Sequence, residues 1–401
     1  NHDIQDAERY CNECDFDFIK IDFCGGDNRR LEEKDRYLQI RNVIDSISNK
    51  PIEINICRWD YPGTWVGNAG NSWRISADIR PIWSSVKYIV EKNLYLSAYA
   101  GGGRYNDMDM LAVGYNIKPS PFWEEGLGLS YDEEEAHFSI WCIMSSPLLL
   151  GCDLEYLPEE TKAIITNKEL IAVNQDCLGL QAHVAQHKDE TYVFVKDILK
   201  KWGKTRAIAL YNPADTSATF KVSPEEIEFR GELSIRDLNT KQNLGTYDSI
   251  EMSLPPHSAK VLRVTGSRIE PTRYEAEWGY CPEFTAIRGT GAKYIPENNA
   301  SGRAVVMNLG GSESNYLEWT DVHILKSGPY GLSLRVKRCP ELPAIHLSVN
   351  GLEVSLKDIF QDGDYVLLTY EANLSKGSNS IKIWNSESML PAVDKLELKK
   401  L

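Results

Sequence analysis

The sequence predicts a multidomain chain of α/β plus all-β class. A (β/α)8 TIM-barrel segment comes first, then an antiparallel β-sandwich domain, then a second β-sandwich. Three observations carry this. Strands and amphipathic helices alternate up to about residue 182, the pattern of parallel strands joined by crossover helices. Several of those strands are polar at every second position and isoleucine-rich between. That suits a barrel covered outside by helices better than a flat sheet buried on both faces. Near His183 the helices stop, and short strands punctuated by turn residues follow.

Taken in order, "NHDIQDAERY" opens on a polar stretch and runs into a helix that carries Cys11 and Cys14. "DFDFIKIDFCGGD" reads as a strand closed by glycines. Phe18, Lys20 and Asp22 share one face, and Ile19, Ile21 and Phe23 the other. "LEEKDRYLQIRNVIDSIS" is helical, and "IEINICRW" alternates again, with Ile52, Ile54 and Ile56 opposite Glu53, Asn55 and Cys57. A strand in "SWRISADI", a helix in "IRPIWSSVKYIVEKN" and the loop "AGGGRYNDMDML" follow. A helix in "DEEEAHFSIWCIMSS", the apolar run "PLLLG" and one final helix, "EETKAIITNKELIAVNQD", complete the region. "TYVFVKDI", "TRAIALYN", "SATFKV", "ELSIRDLN" and "SIEMSLPPHSAKVLRV" are strands of the second region, and "TGSRIEPT" reads as a linker. Beyond it, "YLEWTDVHI", "GPYGLSLRVKR", "AIHLSVNG", "YVLLTYEA", "NSIKIWN" and "DKLELKKL" build a third, all-β region. The expected domains are therefore 1–182, 183–266 and 270–401.

Composition narrows the function. A net charge of −14 argues against a nucleic-acid partner, which needs basic patches. No apolar run reaches the length of a membrane span. Ten tryptophans and twenty tyrosines supply rings for stacking. The nine cysteines are odd in number, so at least one is free. Cys11 and Cys14 form a C-x-x-C with no second pair at zinc-like spacing, and read as helix-packed thiols.

The chemistry concentrates at the carboxyl ends of the strands in the first region, the rim that holds the active site of a β/α barrel. Asp22 ends "FIKID"; Arg58, Trp59 and Asp60 follow "INIC"; Arg74 and Asp78 lie in "SWRISADI"; Asp107 and Asp109 lie in "YNDMDML". Each alone is commonly a turn, cap or ion-pairing residue. Lys20 with Asp22 stands out, because charge inside a strand needs compensation or an open cleft. Two aspartates on different strands, among aromatics, suit glycoside hydrolysis: one attacks the anomeric carbon, the other protonates the leaving oxygen.

"DFIKIDFCGG", "CRWDYPGTWVGNAGNSWRISADI", "YNDMDMLAVG", "HFSIWCIMSSPLLLGCDL" and "ITNKELIAVNQDCLG", in that order, resemble the signature blocks of glycoside hydrolase family 27, the α-galactosidase and α-N-acetylgalactosaminidase family. The resemblance implies a retaining exo-glycosidase on terminal α-galactosides, with Asp22 as nucleophile and Asp78 as acid/base. It places Lys20, Arg58, Trp59, Tyr61, Arg74 and Asp109 in or around the sugar pocket, with Lys20 beside Asp22. It makes "IKID" the fourth barrel strand, so the first three β/α units are absent from this chain. Arg58 stands where many relatives have a glutamate, and with Tyr61 it disfavours an N-acetyl group there. A β-L-arabinopyranosidase, an isomalto-dextranase, a non-catalytic carbohydrate-binding protein and an assembly scaffold are the alternatives. No cofactor is expected for catalysis. The expected partner is an oligo- or polysaccharide ending in a galactose-like sugar. The location implied is periplasmic or secreted, and the oligomeric state is left open.

"YEAEWG", "NNASGRAVVMNLGGSESNYLEWTDV", "LSVNG" and "AVDKLEL" resemble a family 35 or family 6 carbohydrate-binding module. That resemblance implies a structural calcium held by Glu275, Glu277 and Asp394, hard oxygen donors from the first and last strands.

Overall fold

The computed structural model describes residues 2–115, 128–287 and 289–401. The chain forms two compact units. The first comprises Asn1–Asn93, Tyr99–Gln175 and Gly179–Gln181, and the second Leu94–Ala98, Asp176–Leu178 and Ala182–Leu401.

In the first unit, strands β1 (Phe18–Asp22), β2 (Glu53–Cys57), β3 (Ser72–Arg74) and β4 (Tyr105–Asp107) lie side by side in chain order. All are parallel, and a further parallel bridge joins Leu111 to Leu150. Helix α1 (Glu33–Ile47) crosses from β1 to β2, and α2 (Trp83–Asn93) from β3 to β4. The isoleucine face of β2 is buried, with Ile54 at 1% and Ile56 at 0% exposure, as the period-two pattern requires. Helix α3 (Tyr131–Ile143) starts on a complete capping box between Ser130 and Glu133. It is buried throughout Ala136–Ile143, so it lacks a polar face there. The single final helix expected from the sequence is two: α4 (Glu159–Ile165) and α5 (Lys168–Asn174). Asn167 explains the break, because its side chain accepts from the backbone of Glu169 and Leu170 and so starts α5.

The second unit is all-β apart from short turns. A six-stranded sheet runs β10 (Gln242–Tyr247), β9 (Phe229–Asp237), β12 (Ser258–Arg268), β7 (Thr205–Asn212), β6 (Thr191–Asp197), β5 (His183–Lys188). A pair, β11 (Ile250–Leu254) with β8 (Ala218–Val222), closes over one core that includes Val195, Ile208, Phe220, Leu254 and Leu262. The remaining strands form a second sandwich. One sheet runs β14 (Lys293–Pro296), β15 (Ala304–Met307), β23 (Val393–Lys400), β17 (Gly328–Lys337), β21 (Tyr365–Leu374), β20 (Leu356–Asp362), and β13 (Arg273–Glu275) also pairs with β23. The other runs β16 (Leu317–Ile324), β22 (Gly377–Trp384), β18 (His346–Val349), β19 (Leu352–Val354). The segment that reads as a linker is strand as far as Arg268. The Arg268 guanidinium is buried and pairs with Asp197 at 2.8 Å and with Glu228, which fixes this stretch in the sheet.

Candidate active site

Neighbouring parallel strands in register place their side chains on one face at one level. Asp22 is paired with Cys57, and Arg74 with Asp107. The pairing of Ile56 with Trp73 sets Cys57 beside Arg74. Asp22, Cys57, Arg74 and Asp107 therefore form a row across the carboxyl ends of β1–β4. One level below run Lys20, Asn55, Ser72 and Tyr105. In β1 and β2 the isoleucines turn the other way, which leaves this face to polar residues.

Arg74 is the hub. Its side chain is 1% exposed and holds Asp109 at 2.9 Å and Asp78 at 3.1 Å. It also donates to the Ser76 carbonyl. Asp109 accepts from the Ile79 amide at 2.8 Å, so it ties down the segment bearing Asp78. Its own amide donates to Asp107. Asn55 spans the level below, donating to Ser72 at 2.7 Å and to Asp107 at 2.8 Å. Burial pushes the Asp107 carboxyl up, against the opposing pull of Arg74 and Asn55. Asp78 is 68% exposed at its side chain, open to an incoming ligand. Trp59 and Asp109 adopt left-handed backbone, at φ +61° and +74°. Such conformations are unfavourable for residues with a Cβ and cluster at functional sites.

Lys20 and Asp22 share the face expected of them, and both are exposed. Among the described residues, however, no hydrogen bond or ion pair joins the two. Alternate residues of one strand stand about 6.6 Å apart along it, whereas the adjacent strand is about 4.8 Å away. The neighbour of Asp22 is accordingly Cys57. Burial pushes the Cys57 thiol up to about 12; Arg74 opposes this, while Asp22 favours the protonated thiol and accepts its hydrogen bond. Asn55 and Cys57 escaped selection by residue type, although their place on the polar face of "IEINIC" marks them.

Two expected pocket residues lie elsewhere. Arg58 follows the isoleucine face of β2 by the same period-two alternation, so it turns toward the helices. It pairs with Glu33 and, at 3.6 Å, with Asp27, and its side chain is 9% exposed. Tyr61 is 1% exposed, its ring 6.5 Å from that of Trp73 and 5.1 Å from that of Tyr99. It is a core side chain, because Trp73 also belongs to the helix-facing side. All nine cysteines are free thiols, with Cys11 buried and Cys14 exposed.

In the second unit, Glu275, Glu277 and Asp394 are buried at 2%, 2% and 0% exposure. Among the described residues no group of three His, Cys, Asp or Glu side chains already stands as a ligand set. Asp394 is engaged on both oxygens, by the Ser301 amide at 2.8 Å and by Arg335. Glu275 keeps one oxygen on Ser301 and Arg273, and its Oε2 has no partner. Glu277 Oε2 has none either. A Cβ on Gly302 would lie 2.0 Å from Glu277 Oε1, so only glycine leaves room above that carboxylate. Buried carboxylate oxygens without partners fit a hard cation.

The parallel strands with their polar rim, followed by an antiparallel sandwich, are the arrangement of a β/α-barrel glycosidase with a C-terminal β-sandwich domain. Residues 2–176 match the family described as α-galactosidase A, and residues 190–264 the α-galactosidase C-terminal β-sandwich domain. The chain belongs to the α-galactosidase family, glycoside hydrolase family 27. It is 33% identical to an α-galactosidase of Oryza sativa subsp. japonica over 269 residues, covering 66% of this chain and 60% of the rice protein. An α-galactosidase A of Cellvibrio japonicus is 31% identical over 289 residues, covering 66% of this chain and 67% of that protein. Among solved structures, α-galactosidase I of Mortierella vinacea superimposes with a TM-score of 0.59 at 27% identity, over 67% of this chain and 72% of the other.

Proposed function

We propose that the protein hydrolyses terminal α-galactosides with retention of configuration. The reading rests on its family and on one observation: the buried Arg74 pairs with Asp78, and strand register sets Asp22, through Cys57, on the same row as Arg74. Asp22 attacks the anomeric carbon as Asp78 gives its proton to the leaving oxygen. Asp78 then takes a proton from water, which displaces Asp22. Arg74 turns part of its fork to the hydroxyl beside the anomeric carbon, which releases Asp78. Asp109 holds Arg74 and the Asp78 segment in place. Lys20 and Trp59 face the same sugar, one as a donor and one as a ring. In the family's barrel β1 is the fourth strand, so its open edge is where the first three β/α units pair.

A panel of nitrophenyl α-galactoside, β-L-arabinopyranoside, α-N-acetylgalactosaminide and isomaltosyl substrates tests the glycone. Turnover should favour the α-galactoside, and NMR should show the α-anomer released first. Asp22→Ala should abolish turnover of every substrate, with azide restoring release as the β-azide. Unchanged turnover in that variant sinks the assignment.

The third region we read as a carbohydrate-binding module with a structural calcium on Glu275 and Glu277, beside Asp394. The partnerless buried oxygens support it. Chelator should lower the melting temperature of the whole chain, calcium should restore it, and Glu277→Gln should remove the response. No calcium response in the unaltered chain ends that reading.

A further inference from the structure

Arg58 sits one residue beyond β2, yet its guanidinium belongs to the turn that follows Asp22. That turn, Phe23–Leu31, is closed by backbone bonds from Gly26 to Phe23 at 3.0 Å and from Leu31 to Gly26 at 3.1 Å. Arg58 holds the turn and the start of the helix that follows it. Its Nε donates to Glu33, the first residue of α1, and its Nη1 reaches Asp27 in the middle of the turn. Its guanidinium carbon lies 4.6 Å above the Phe23 ring. A guanidinium suits this because its planar fork binds carboxylates while its face covers a ring.

The grip continues inward. The Phe23 ring stacks on Tyr37 at 5.8 Å. The Tyr37 hydroxyl bridges the Ile21 carbonyl at 3.0 Å and the Cys57 carbonyl at 3.1 Å. Those carbonyls open the peptides leading into Asp22 and into Arg58. Gly26 lies close against the same ring, since a Cβ there would fall 2.4 Å from it. Arg58 itself presents little surface to a ligand.

We propose that Arg58 is a positioning residue: it fastens the turn behind Asp22, and so holds that carboxylate, without touching the sugar. The inference rests on Asp22 as the nucleophile. It differs from a role for Arg58 in the sugar pocket, because a latch depends on Glu33 as much as on Arg58.

The experiment compares Arg58→Met, Glu33→Gln and the double variant in the whole chain. Turnover of nitrophenyl α-galactoside is read beside hydrogen exchange of the Phe23–Leu31 amides. Each single variant should lower kcat about tenfold with KM within about twofold, and the double should be no worse than either single. Exchange across the turn should quicken by a similar factor in all three. Arg58→Lys, which keeps charge but loses the fork, should recover only part of both effects. Wild-type kinetics and exchange in Glu33→Gln, beside a raised KM or changed glycone preference in Arg58→Met, would overturn the latch. Failure of Asp22 as nucleophile reads differently: Asp22→Ala would keep turnover while turn exchange still followed Arg58 and Glu33.

Discussion

One carboxylate, Asp109, serves Arg74 and the Ile79 amide at once, from a backbone that resists its own side chain. Asp109→Asn keeps the shape and removes the charge. It should cost about 1–3 kcal/mol of stability, the range for disturbing a buried hydrogen-bonded group, and lower kcat/KM at least tenfold by freeing the Asp78 segment. Calorimetry and steady-state rates check the two effects separately. His137 makes the second prediction at this scale. Its ring lies edge-on to Trp141 at 4.0 Å, and Nε2 accepts from the Ala112 amide. Burial drives its pKa down to about 3. In the unfolded chain an imidazole titrates near 6.5, so between pH 6.5 and 3 the unfolded state binds the extra proton. Stability is therefore full above pH 6.5 and falls with acid, by about 2 kcal/mol at pH 5 from this group. His183, also held down to about 3 by burial, adds a term of the same sign. In denaturant titrations between pH 7 and 5, His137→Gln should flatten the loss of stability with acid.

At the scale of elements, strands β6 and β12 are joined by charge as well as by the sheet between them. Arg206 and Arg268 face Asp197 and Glu228 with side chains at 15% exposure or less. Burial raises the Asp197 carboxyl, but the two guanidiniums outweigh it and hold it below its ordinary value. Asp197→Ala leaves two buried cations on one carboxylate and should cost about 3–5 kcal/mol, measured by chemical unfolding. The strands carrying this network were legible, because "TYVFVKDI" and "TRAIALYN" are short apolar runs bounded by turn residues, as fully buried strands are. Strands β10, β13, β14, β15, β19 and β20 were not. They are short, or like β20 exposed at every position, so no buried face imprints a period on them. The row of Asp22, Arg74 and Asp107 was legible in residue type and place. Its true neighbours were not, since register decides that Asp22 meets Cys57 before Lys20.

At the scale of the whole molecule, β1 pairs with β2 alone among the described residues of the first unit. Phe16 is 50% and Phe18 42% exposed there, and Leu149 and Leu150 are 49% and 42% exposed beyond β4. An unpaired apolar strand edge invites association. Phe18→Lys should reduce self-association of this chain, read by light scattering against protein concentration. Equal scattering for both chains would mean that the β1 edge does not drive association.

The thiol between Asp22 and Arg74 also makes the molecule its own voltmeter. Cys57 stays protonated and dry, and its S–H stretch absorbs in an infrared window that water and peptide groups leave nearly clear. The frequency of that stretch follows the local electric field along the bond. On the proposed mechanism a sugar attached to Asp22 would cancel one of the two charges that flank it, so the band should move when that ester forms and return on release. The chemical state of the carboxylate could then be followed in the native chain, with no label added.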